Sequence, residues 1–258
     1  MDEHTSLIIP AALVLALRQA RHLVVLTGAG ISAESGLPTF RDPLTGLWAR
    51  YRPQELGTPQ AFRRNPRLVW EWFAWRRQLV AAAEPNAGHI ALAMLEQLLP
   101  KVTILTQNVD GLHQRAGSTN VIELHGNLAR TKCFSENTPV DTWEASEELP
   151  PRCPRCGDFL RPNVVWFGEA LAETVLNDAT DASRASNVFL VIGTSGTVMP
   201  AAFLPYYAKE AGAMVAIINA EVTDQAQGSD YMLVGQAGLI LPALLRAAWP
   251  EQLPSDPT

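Results

Sequence analysis

The chain has 258 residues, of which 47% are hydrophobic, and carries a formal net charge of −6. This length suits one large domain, or one domain with a small insertion, whose core needs no disulfide support. The negative charge argues against a direct nucleic-acid binder that uses a broad basic surface. The N-terminus carries no basic segment before an apolar run, and no apolar stretch reaches membrane-spanning length. We therefore expect a cytoplasmic protein without a membrane partner.

Apolar runs alternate with amphipathic segments along the chain. Helical spacing of apolar residues predicts helices that cover residues 11–21, 66–83 and 86–99, and Asn86 is a suitable cap for the last of them. Short apolar runs predict strands near residues 23–26, 102–105, 121–124, 188–192 and 215–218. Residues 237–249 are expected to add a short strand and a helix. Apolar strands between helices are typical of a parallel sheet buried on both faces, which predicts an α/β fold with a Rossmann-like sheet.

Residues 127–165 interrupt this alternation. They contain all three cysteines of the chain, a long polar run and few apolar clusters. The odd number of cysteines argues against a disulfide framework, and Cys153 and Cys156 form a Cys-x-x-Cys pair. We predict that these residues form a small module inserted between two strands of the main sheet, with too little core to fold alone.

A glycine-rich turn follows the first predicted strand. Gly28, Gly30 and Ala33 fit the pattern G-x-G-x-x-[G/A], in which small residues let the backbone approach a pyrophosphate at a helix N-terminus. Such a pattern is a weak signal by itself. A nicotinamide-dependent dehydrogenase would also place an acidic residue about 20 residues further on, at the end of its second strand. This chain has instead a proline-containing loop with Phe40 and Arg41, which argues against hydride transfer and leaves these side chains to cover a ligand.

Polar residues follow several other predicted strands. They are Gln107, Asn108 and Asp110, then Thr194 and Ser195, then Asn219 and Glu221. One such group alone is typical of an ordinary turn. Because ligands of open parallel sheets bind beyond the carboxyl ends of the strands, the groups together predict a dinucleotide cleft.

A histidine follows the third predicted strand, since residues 121–124 run directly into His125. A single histidine at a strand end is more often a hydrogen-bonded structural residue. Its near-neutral pKa nevertheless makes it a candidate base if the strand aims it into the cleft.

A set of segments in this order resembles the sirtuins, a family of NAD-dependent protein lysine deacylases. The segments are GAGISAESGLPTFRD, PNAGHIAL, TQNVDGLH, ELHG, RPNVVWFGE, GTSGTVMPA and INAE, and the resemblance extends over about residues 15–245. It implies a Rossmann-type large domain, a small zinc-bearing module and a cleft between them. It also implies that NAD is consumed, because the acyl oxygen of a modified lysine attacks the nicotinamide ribose as nicotinamide leaves. The histidine matching His125 then acts as general base toward a ribose hydroxyl, which yields acyl-ADP-ribose and free lysine.

The resemblance also implies roles for individual residues, with His125 and Asn108 as the catalytic pair. The pyrophosphate would be held by Gly28, Ala29, Gly30 and Ala33. The loop over the cofactor would carry Phe40 and Arg41, and the ribose and nicotinamide would be contacted by Gln107, Asn108 and Asp110. The adenosine half would be contacted by Gly193, Thr194, Ser195, Asn219, Glu221 and Ala237. The substrate peptide would add as a strand to Val165, Trp166, Phe167 and Gly168.

The cysteines depart from the usual sirtuin pattern. Many sirtuins carry two Cys-x-x-Cys pairs around one zinc ion, but here Cys133 is followed by Glu136 where the second thiol would stand. A structural zinc site usually takes four thiolate or imidazole ligands. Cys133, Cys153 and Cys156 with Glu136 or water as fourth ligand is one interpretation, and a metal-free module is the other. Zinc here would support the fold and not the chemistry.

The predicted helix over residues 66–83 is the second departure from the usual sirtuin pattern. Acid-selective sirtuins carry a Tyr-x-x-Arg pair in this helix that holds the distal carboxylate of succinyl or malonyl lysine, and this chain has Phe73 and Arg76. Arginine can form a bidentate pair with a carboxylate. Phenylalanine lacks the hydroxyl of tyrosine, and the hydrogen bond to the charged group that is lost is worth about 1.5–3 kcal/mol. We predict desuccinylase activity that is not strongly preferred over deacetylation. The alternative is that Arg76 is an ordinary surface arginine.

Two other functions would use the same cofactor site. An ADP-ribosyltransferase or NAD hydrolase is the first alternative, and a non-enzymatic NAD-sensing module is the second. The peptide-binding segment favours a deacylase over the first. The joint presence of His125, Asn108 and Asp110 argues against the second.

Overall fold

The computed structural model describes residues 8–39, 52–144 and 147–252, so Phe40 and Arg41 lie outside the described residues. The strands are β1 (Leu23–Thr27), β2 (Val102–Thr106), β3 (Val121–Glu123), β4 (Gly126–Cys133), β5 (Leu160–Val164), β6 (Val188–Ile192), β7 (Met214–Asn219) and β8 (Tyr231–Val234). The helices are α1 (Ala11–Gln19), α2 (Ala29–Ala33), α3 (Pro53–Leu56), α4 (Pro59–Arg64), α5 (Pro66–Ala82), α6 (Ala87–Leu98), α7 (Leu112–Arg115), α8 (Glu173–Arg184), α9 (Leu204–Glu210) and α10 (Ala237–Ala248). Short 3-10 helices cover Ala201–Phe203 and Asp224–Gly228.

Within the described residues, six strands form one parallel sheet in the order β3-β2-β1-β6-β7-β8. Each of the strands predicted from residues 23–26, 102–105, 121–124, 188–192 and 215–218 is part of it, which confirms the parallel α/β prediction. From β1 the chain moves outward in one direction through β2 and β3, and later in the other through β6, β7 and β8. The connections that follow β1 and β6 therefore lead to opposite sides of the sheet, and the crevice at such a point is where open α/β sheets bind ligands.

Helices cover both faces of this sheet. Alternate residues of a strand point to opposite faces, so Leu23 and Val25 of β1 join one core whereas Val24 and Leu26 join the other. Helices α1, α6 and α10 contribute to the first core, and α8 and α9 contribute to the second. All residues of β1, β2 and β6 are buried, as expected for strands covered on both sides.

Side-chain caps fix the start of α5 and α6. Asn65 caps α5 through its side chain, and Pro66 occupies the first helical position. Asn86 accepts hydrogen bonds from the N–H groups of Gly88 and His89, which confirms the predicted cap of α6. His89 completes the cap because its Nδ1 accepts the Asn86 N–H at 3.4 Å.

Strands β4 and β5 form a separate antiparallel pair outside the main sheet. The pair packs against α4 and α5 through an aromatic cluster that includes Phe62, Trp72, Phe73, Leu128, Val164 and Trp166. A second cluster joins Trp70 to Cys133, Val140, Cys153 and Leu160. Strands β4 and β5 frame the predicted module of residues 127–165, whose boundaries stay a prediction.

The prediction of a short strand within residues 237–249 is wrong, because α10 covers Ala237–Ala248 and the last strand of the sheet is β8. The apolar run at 239–241 suggested a strand. Its buried members continue at helical spacing through Ile240, Leu244 and Ala248, which all join the core beside the sheet. Among the described residues, no helix combines the length and the apolar character that crossing a lipid bilayer requires.

Candidate active site

A cavity of about 930 Å³ opens beyond the carboxyl ends of β1, β2, β6 and β7 and reaches the segment that follows β5. Most of the predicted site residues line it. They are Gly28, Ala29, Gly30, Ala33, Phe73, Arg76, Gln107, Asn108, His125, Val165, Trp166, Phe167, Gly168, Gly193, Thr194, Ser195, Asn219, Glu221 and Ala237. The structure therefore brings the glycine turn, the histidine and the predicted peptide segment to a single cavity.

The glycine turn after β1 interlocks with the loop after β6. Gly30 donates its N–H to the carbonyl of Gly193 at 2.8 Å. A Cβ on Gly30 would lie 2.7 Å from Gly193 Cα, and a Cβ on Gly193 would lie 2.4 Å from Ile31 N. Gly193 also has a φ of +60°, a left-handed conformation that glycine adopts without strain. The two loops can meet only as bare backbone, and this backbone forms one wall of the cavity.

His125 lies two residues after the end of β3 and lines the cavity. Its Nδ1 lies 3.0 Å from the carbonyl oxygen of Gln107. Because a carbonyl oxygen only accepts, Nδ1 carries the proton of the neutral ring and Nε2 keeps its lone pair. Burial lowers the pKa of His125 below its ordinary value, although the hydrogen bond to Gln107 acts in the opposite direction. The ring is therefore neutral at pH 7 and able to accept a proton at Nε2.

Two amide side chains after β2 tie the loops of the cavity together. Gln107 Nε2 donates to Thr194 Oγ1 at 3.0 Å, which joins the β2 loop to the β6 loop. Asn108 is buried, and its Nδ2 donates to the Gly28 carbonyl at 3.0 Å and to Ser32 Oγ at 3.1 Å. Because both donors of this amide point into the protein, the Asn108 side-chain oxygen is its remaining group for a ligand.

Asp110 does not line the main cavity. It lies in an adjoining pocket of about 40 Å³ that shares Arg76 and Asn108 with it. Its carboxylate accepts hydrogen bonds from Ser32 Oγ at 2.8 Å and from Leu112 N at 2.9 Å. Burial raises the pKa of Asp110, and these hydrogen bonds and the charge of Arg76 offset part of that rise. The carboxylate thus stands beside the cavity that holds the other predicted residues.

Two buried histidines that were not predicted as site residues lie beneath the glycine turn. The rings of His89 and His113 have centroids 4.9 Å apart. His113 Nε2 is hydrogen-bonded to Thr27 Oγ1 at 2.9 Å, and His89 Nε2 lies 3.5 Å from Ser32 Oγ. Burial lowers the pKa of His89 to about 4 and, together with the neighbouring His89, lowers that of His113 to about 3. Both rings are neutral at pH 7 and support the loops after β1 and β2.

Helix α5 contributes an aromatic and cationic wall. Phe73 and Arg76 lie one turn apart and both line the cavity, and the Arg76 guanidinium lies 5.4 Å from the centroid of the Trp72 ring. Burial lowers the pKa of Arg76 to about 10, against the attraction of Asp110, so the side chain stays cationic at pH 7. Trp72 and Trp166 also line the cavity, and their indole N–H groups are buried without a hydrogen-bond partner among the described residues. This wall combines the apolar surface of Phe73 and Trp72 with the positive charge of Arg76.

The predicted peptide segment follows β5. Val165 donates its N–H to the carbonyl of His125 at 2.9 Å, and Phe167 donates to another backbone carbonyl at 2.8 Å. Trp166 donates its N–H to a carboxylate oxygen of Glu169 at 2.8 Å. Because these N–H groups are engaged inside the protein, an added strand would depend mainly on carbonyl acceptors of this segment.

Residues 28–200 match the sequence model of the Sir2 family. The chain belongs to the Sir2 family. A relative from Pyrobaculum aerophilum, named NAD-dependent protein deacylase 2, is 51% identical over 229 residues, which cover 89% of this chain and 92% of the relative. A crystal structure of a Sir2 homolog–NAD complex matches with a TM-score of 0.88 and 45% identity, covering 94% of this chain and 95% of the other. A Sir2 protein bound to a myristoylated histone peptide matches with a TM-score of 0.72 and 34% identity, covering 93% of this chain and 95% of the other.

The three cysteines of this Sir2 chain meet Glu136 in one cluster. One ligand atom from each of Cys133, Glu136, Cys153 and Cys156 lies within 4.8 Å of the others, and the sulfurs of Cys133 and Cys156 are 3.4 Å apart. A tetrahedral zinc ion with bonds of about 2.3 Å to sulfur needs ligand atoms roughly 3.8 Å apart. Three sulfurs and a carboxylate oxygen at these distances fit zinc. Glu136 also forms an ion pair with Arg155 at 3.0 Å, so its carboxylate would contact both Arg155 and the zinc ion.

Several residues that support this Sir2 site from behind were not predicted from the sequence. Ser32, His89 and His113 occur inside the segments that carry the family resemblance, and that position was the available signal. Glu34 lines the cavity and accepts the N–H of Gly238 at 2.9 Å, which links the glycine turn to the start of α10. No sequence pattern indicated that contact, because the two residues are far apart in the chain.

Proposed function

We propose that this protein is an NAD-dependent protein lysine deacylase, active on acetyl-lysine and also on succinyl- and malonyl-lysine in proteins or peptides. The observation that supports this most directly is that His125 shares one cavity with the interlocked glycine loops and with residues 165–168. The relative named as a deacylase, and the related structures that hold NAD and an acylated peptide, support the same activity. The cytoplasm is its expected location.

The residues around the cavity divide the chemical work. NAD, the consumed co-substrate, supplies the ribose carbon that receives the acyl oxygen once nicotinamide has left. His125 Nε2 then takes a proton from a ribose hydroxyl, because Nδ1 is already committed to the Gln107 carbonyl. The hydroxyl oxygen bonds to the acyl carbon, and one water molecule supplies the oxygen that replaces the lysine nitrogen as lysine leaves as the free amine. Asn108, oriented by Gly28 and Ser32, offers its side-chain oxygen to the polar groups of the ribose. The glycine loops let backbone instead of side chains approach the diphosphate.

An ADP-ribosyltransferase or NAD hydrolase would use the same glycine loops. Neither activity requires an acylated peptide next to the base. Here the N–H of Val165 donates directly to the carbonyl of His125, so the peptide segment and the base are linked by one hydrogen bond. This link favours deacylation as the function.

The acyl group is proposed to lie against α5. Arg76 is cationic and lines the cavity beside Phe73, so it can pair with the distal carboxylate of a succinyl or malonyl group. Phe73 offers no hydrogen-bond donor to a carboxylate. Its ring provides apolar surface for an uncharged acyl chain such as acetyl. We therefore expect both acyl classes to be accepted without a strong preference for the acidic one.

Zinc is proposed as a structural ion of the β4–β5 pair, with Cys133, Glu136, Cys153 and Cys156 as its ligands. Cys133 and Cys153 are buried beside Trp70 of α5, so the ion would hold the pair against that helix. None of these ligands lines the main cavity. The ion would stabilise the fold and take no part in the reaction.

Mass spectrometry of the products tests the proposed function. The protein is incubated with NAD and peptides carrying acetyl-, malonyl- or succinyl-lysine, and we expect nicotinamide, acyl-ADP-ribose and unmodified peptide in equal amounts. Arg76→Met should lower the ratio of succinyl to acetyl turnover by about tenfold. Arg77→Met is the matched control, because Arg77 lies over Trp70 and does not line the cavity. ADP-ribosylated protein, or free ADP-ribose without acyl transfer, would contradict the proposal.

A further inference from the structure

An ion pair between buried Arg161 and partly exposed Glu169, which lines the cavity, flanks the peptide segment and has no part in the function proposed so far. Arg161 of β5 is 2% exposed, and its two terminal nitrogens donate to the two carboxylate oxygens of Glu169 at 2.6 and 2.9 Å. One of these nitrogens also donates to the Val164 carbonyl at 2.8 Å. The guanidinium lies 3.2 Å from the centroid of the Trp166 ring. Burying the Arg161 guanidinium costs desolvation energy, and its hydrogen bonds to Glu169 and to the Val164 carbonyl offset that cost.

The pair closes a short turn around the peptide segment. Glu169 accepts the N–H of Trp166 at 2.8 Å, and the Trp166 carbonyl accepts the N–H of Glu169 at 3.0 Å. Arg161 therefore holds the residues on both sides of Val165, directly on one side and through Glu169 on the other. Val165 in turn donates its N–H to the carbonyl of His125 at 2.9 Å. The ion pair is thus connected through the backbone of residues 164–166, and through the hydrogen bond of Val165, to the main chain of His125.

Glu169 of the ion pair is negatively charged at neutral pH. Burial raises the pKa of Glu169, but the hydrogen bonds from Arg161 and Trp166 and the charges of Arg161 and Lys132 outweigh it, so the pKa is lowered overall. Lys132 is the buried cross-strand partner of Arg161. The Glu169 carboxylate is ionised at neutral pH, and its hydrogen bonds to Arg161 are charge-assisted and correspondingly strong.

We propose that Arg161 and Glu169 are positioning residues for the acylated peptide, which fix residues 164–167 so that an added strand meets His125 in register. This inference rests on the proposed function. Both residues belong to β5 and the turn that follows it, whereas the glycine loops that would hold NAD follow β1 and β6. The pair should therefore control the affinity for peptide and leave the affinity for NAD unchanged.

Steady-state kinetics of Glu169→Gln with an acetyl-lysine peptide test this inference. Glutamine keeps the size of the side chain and one oxygen for the Trp166 N–H, but it cannot accept two charge-assisted bonds from Arg161. We expect the KM for peptide to rise about tenfold, while the dissociation constant of NAD, measured by calorimetry, stays the same. Arg161→Met should give a larger rise, and adding Glu169→Gln to it should change little more, because the two residues act as a unit. If Arg161→Met does not fold, Glu169→Gln alone decides the question.

Glu148→Gln is the matched control. It breaks an exposed arginine–glutamate pair with Arg152 between β4 and β5, and the KM for peptide should not change. An unchanged KM for peptide in Glu169→Gln, or an equal loss of NAD affinity, would overturn the inference. If the wild-type protein shows no deacylation, the proposed function fails. Direct binding of a fluorescent acetyl-peptide to the wild type and to Glu169→Gln then still tests the positioning role, with a tenfold weaker Kd expected for the variant and an equal Kd overturning it.

Discussion

The buried histidines beneath the glycine turn should make the fold sensitive to acid by an amount that can be calculated. Their pKa values are lowered from 6.5 to about 4 for His89 and to about 3 for His113. In the unfolded chain both rings take up protons near pH 6.5. The unfolded state therefore binds more protons below that pH. The stability that depends on the neutral rings is fully present above pH 6.5 and is lost as the pH falls toward the folded-state pKa values.

The size of the effect follows from the pKa shifts. One pKa unit corresponds to about 1.4 kcal/mol, so each histidine should lower the free energy of unfolding by about 2 kcal/mol between pH 7 and pH 5. Together they should lower it by about 4 kcal/mol over this interval. His113→Gln removes one contribution and keeps an N–H donor for Thr27 Oγ1. Between pH 7 and pH 5 the free energy of unfolding of this variant should therefore fall by about 2 kcal/mol less than that of the wild type.

Urea unfolding followed by tryptophan fluorescence at pH 5, 6, 7 and 8 measures these free energies. We expect His113→Gln to be less stable than the wild type at pH 7 and to approach it at pH 5. Between pH 7 and pH 8 the folded rings stay neutral and the unfolded rings lose only a small remaining fraction of protons. The difference in free energy of unfolding between the two proteins should therefore stay nearly constant there, which serves as an internal control. If both proteins showed the same dependence on pH down to pH 5, the reasoning that burial keeps His113 neutral would be refuted.

Three further predictions concern the base, the glycine loops and the metal. Because burial lowers the pKa of His125, kcat/KM should rise with pH to a plateau whose midpoint lies below pH 6.5, and a midpoint above pH 7 would contradict a neutral base. Gly193→Ala should weaken NAD binding in calorimetry and lower the melting temperature, since its Cβ would lie 2.4 Å from Ile31 N. Gly212→Ala, at a φ of +91° with open space around it, should cost only about 1 kcal/mol and leave NAD binding intact, and equal effects of the two variants would argue against interlocked loops. Elemental analysis should find one zinc ion per chain in the wild type and none in Cys153→Ser. Chelation of the zinc should lower the melting temperature. An unchanged melting temperature after proven zinc removal would exclude a structural role.

The main sheet could be predicted because each strand is indicated by a short segment of sequence and needs no knowledge of distant residues. Each central strand is a short apolar run between helical segments, and Asn86 marks the start of α6 by its own side chain. The same local reasoning failed at residues 237–249. There an apolar run that suits a strand belongs to α10, because the neighbouring core favours the helical spacing of Ile240 and Leu244.

The candidate site was predictable at the level of which residues meet, and less so in how they meet. Strand ends predicted that Gln107 and Asn108 would face one cleft, and they line it. The placement of Asp110 in the adjoining pocket depends on Ser32, which lies 78 positions earlier in the chain. The contact of Gly30 with Gly193 likewise joins two loops that are distant in sequence. Such contacts arise from the packing of the whole sheet and leave no trace in local spacing.

The most direct test concerns the role of His125 after nicotinamide has left. Labelled nicotinamide exchange into NAD and acyl-ADP-ribose formation are measured with His125→Ala and an acetyl-lysine peptide. Exchange does not need a base, so we expect it to persist, while acyl-ADP-ribose formation should fall by at least about a hundredfold. Formation of acyl-ADP-ribose by His125→Ala at the wild-type rate would contradict the assignment of His125 as the base.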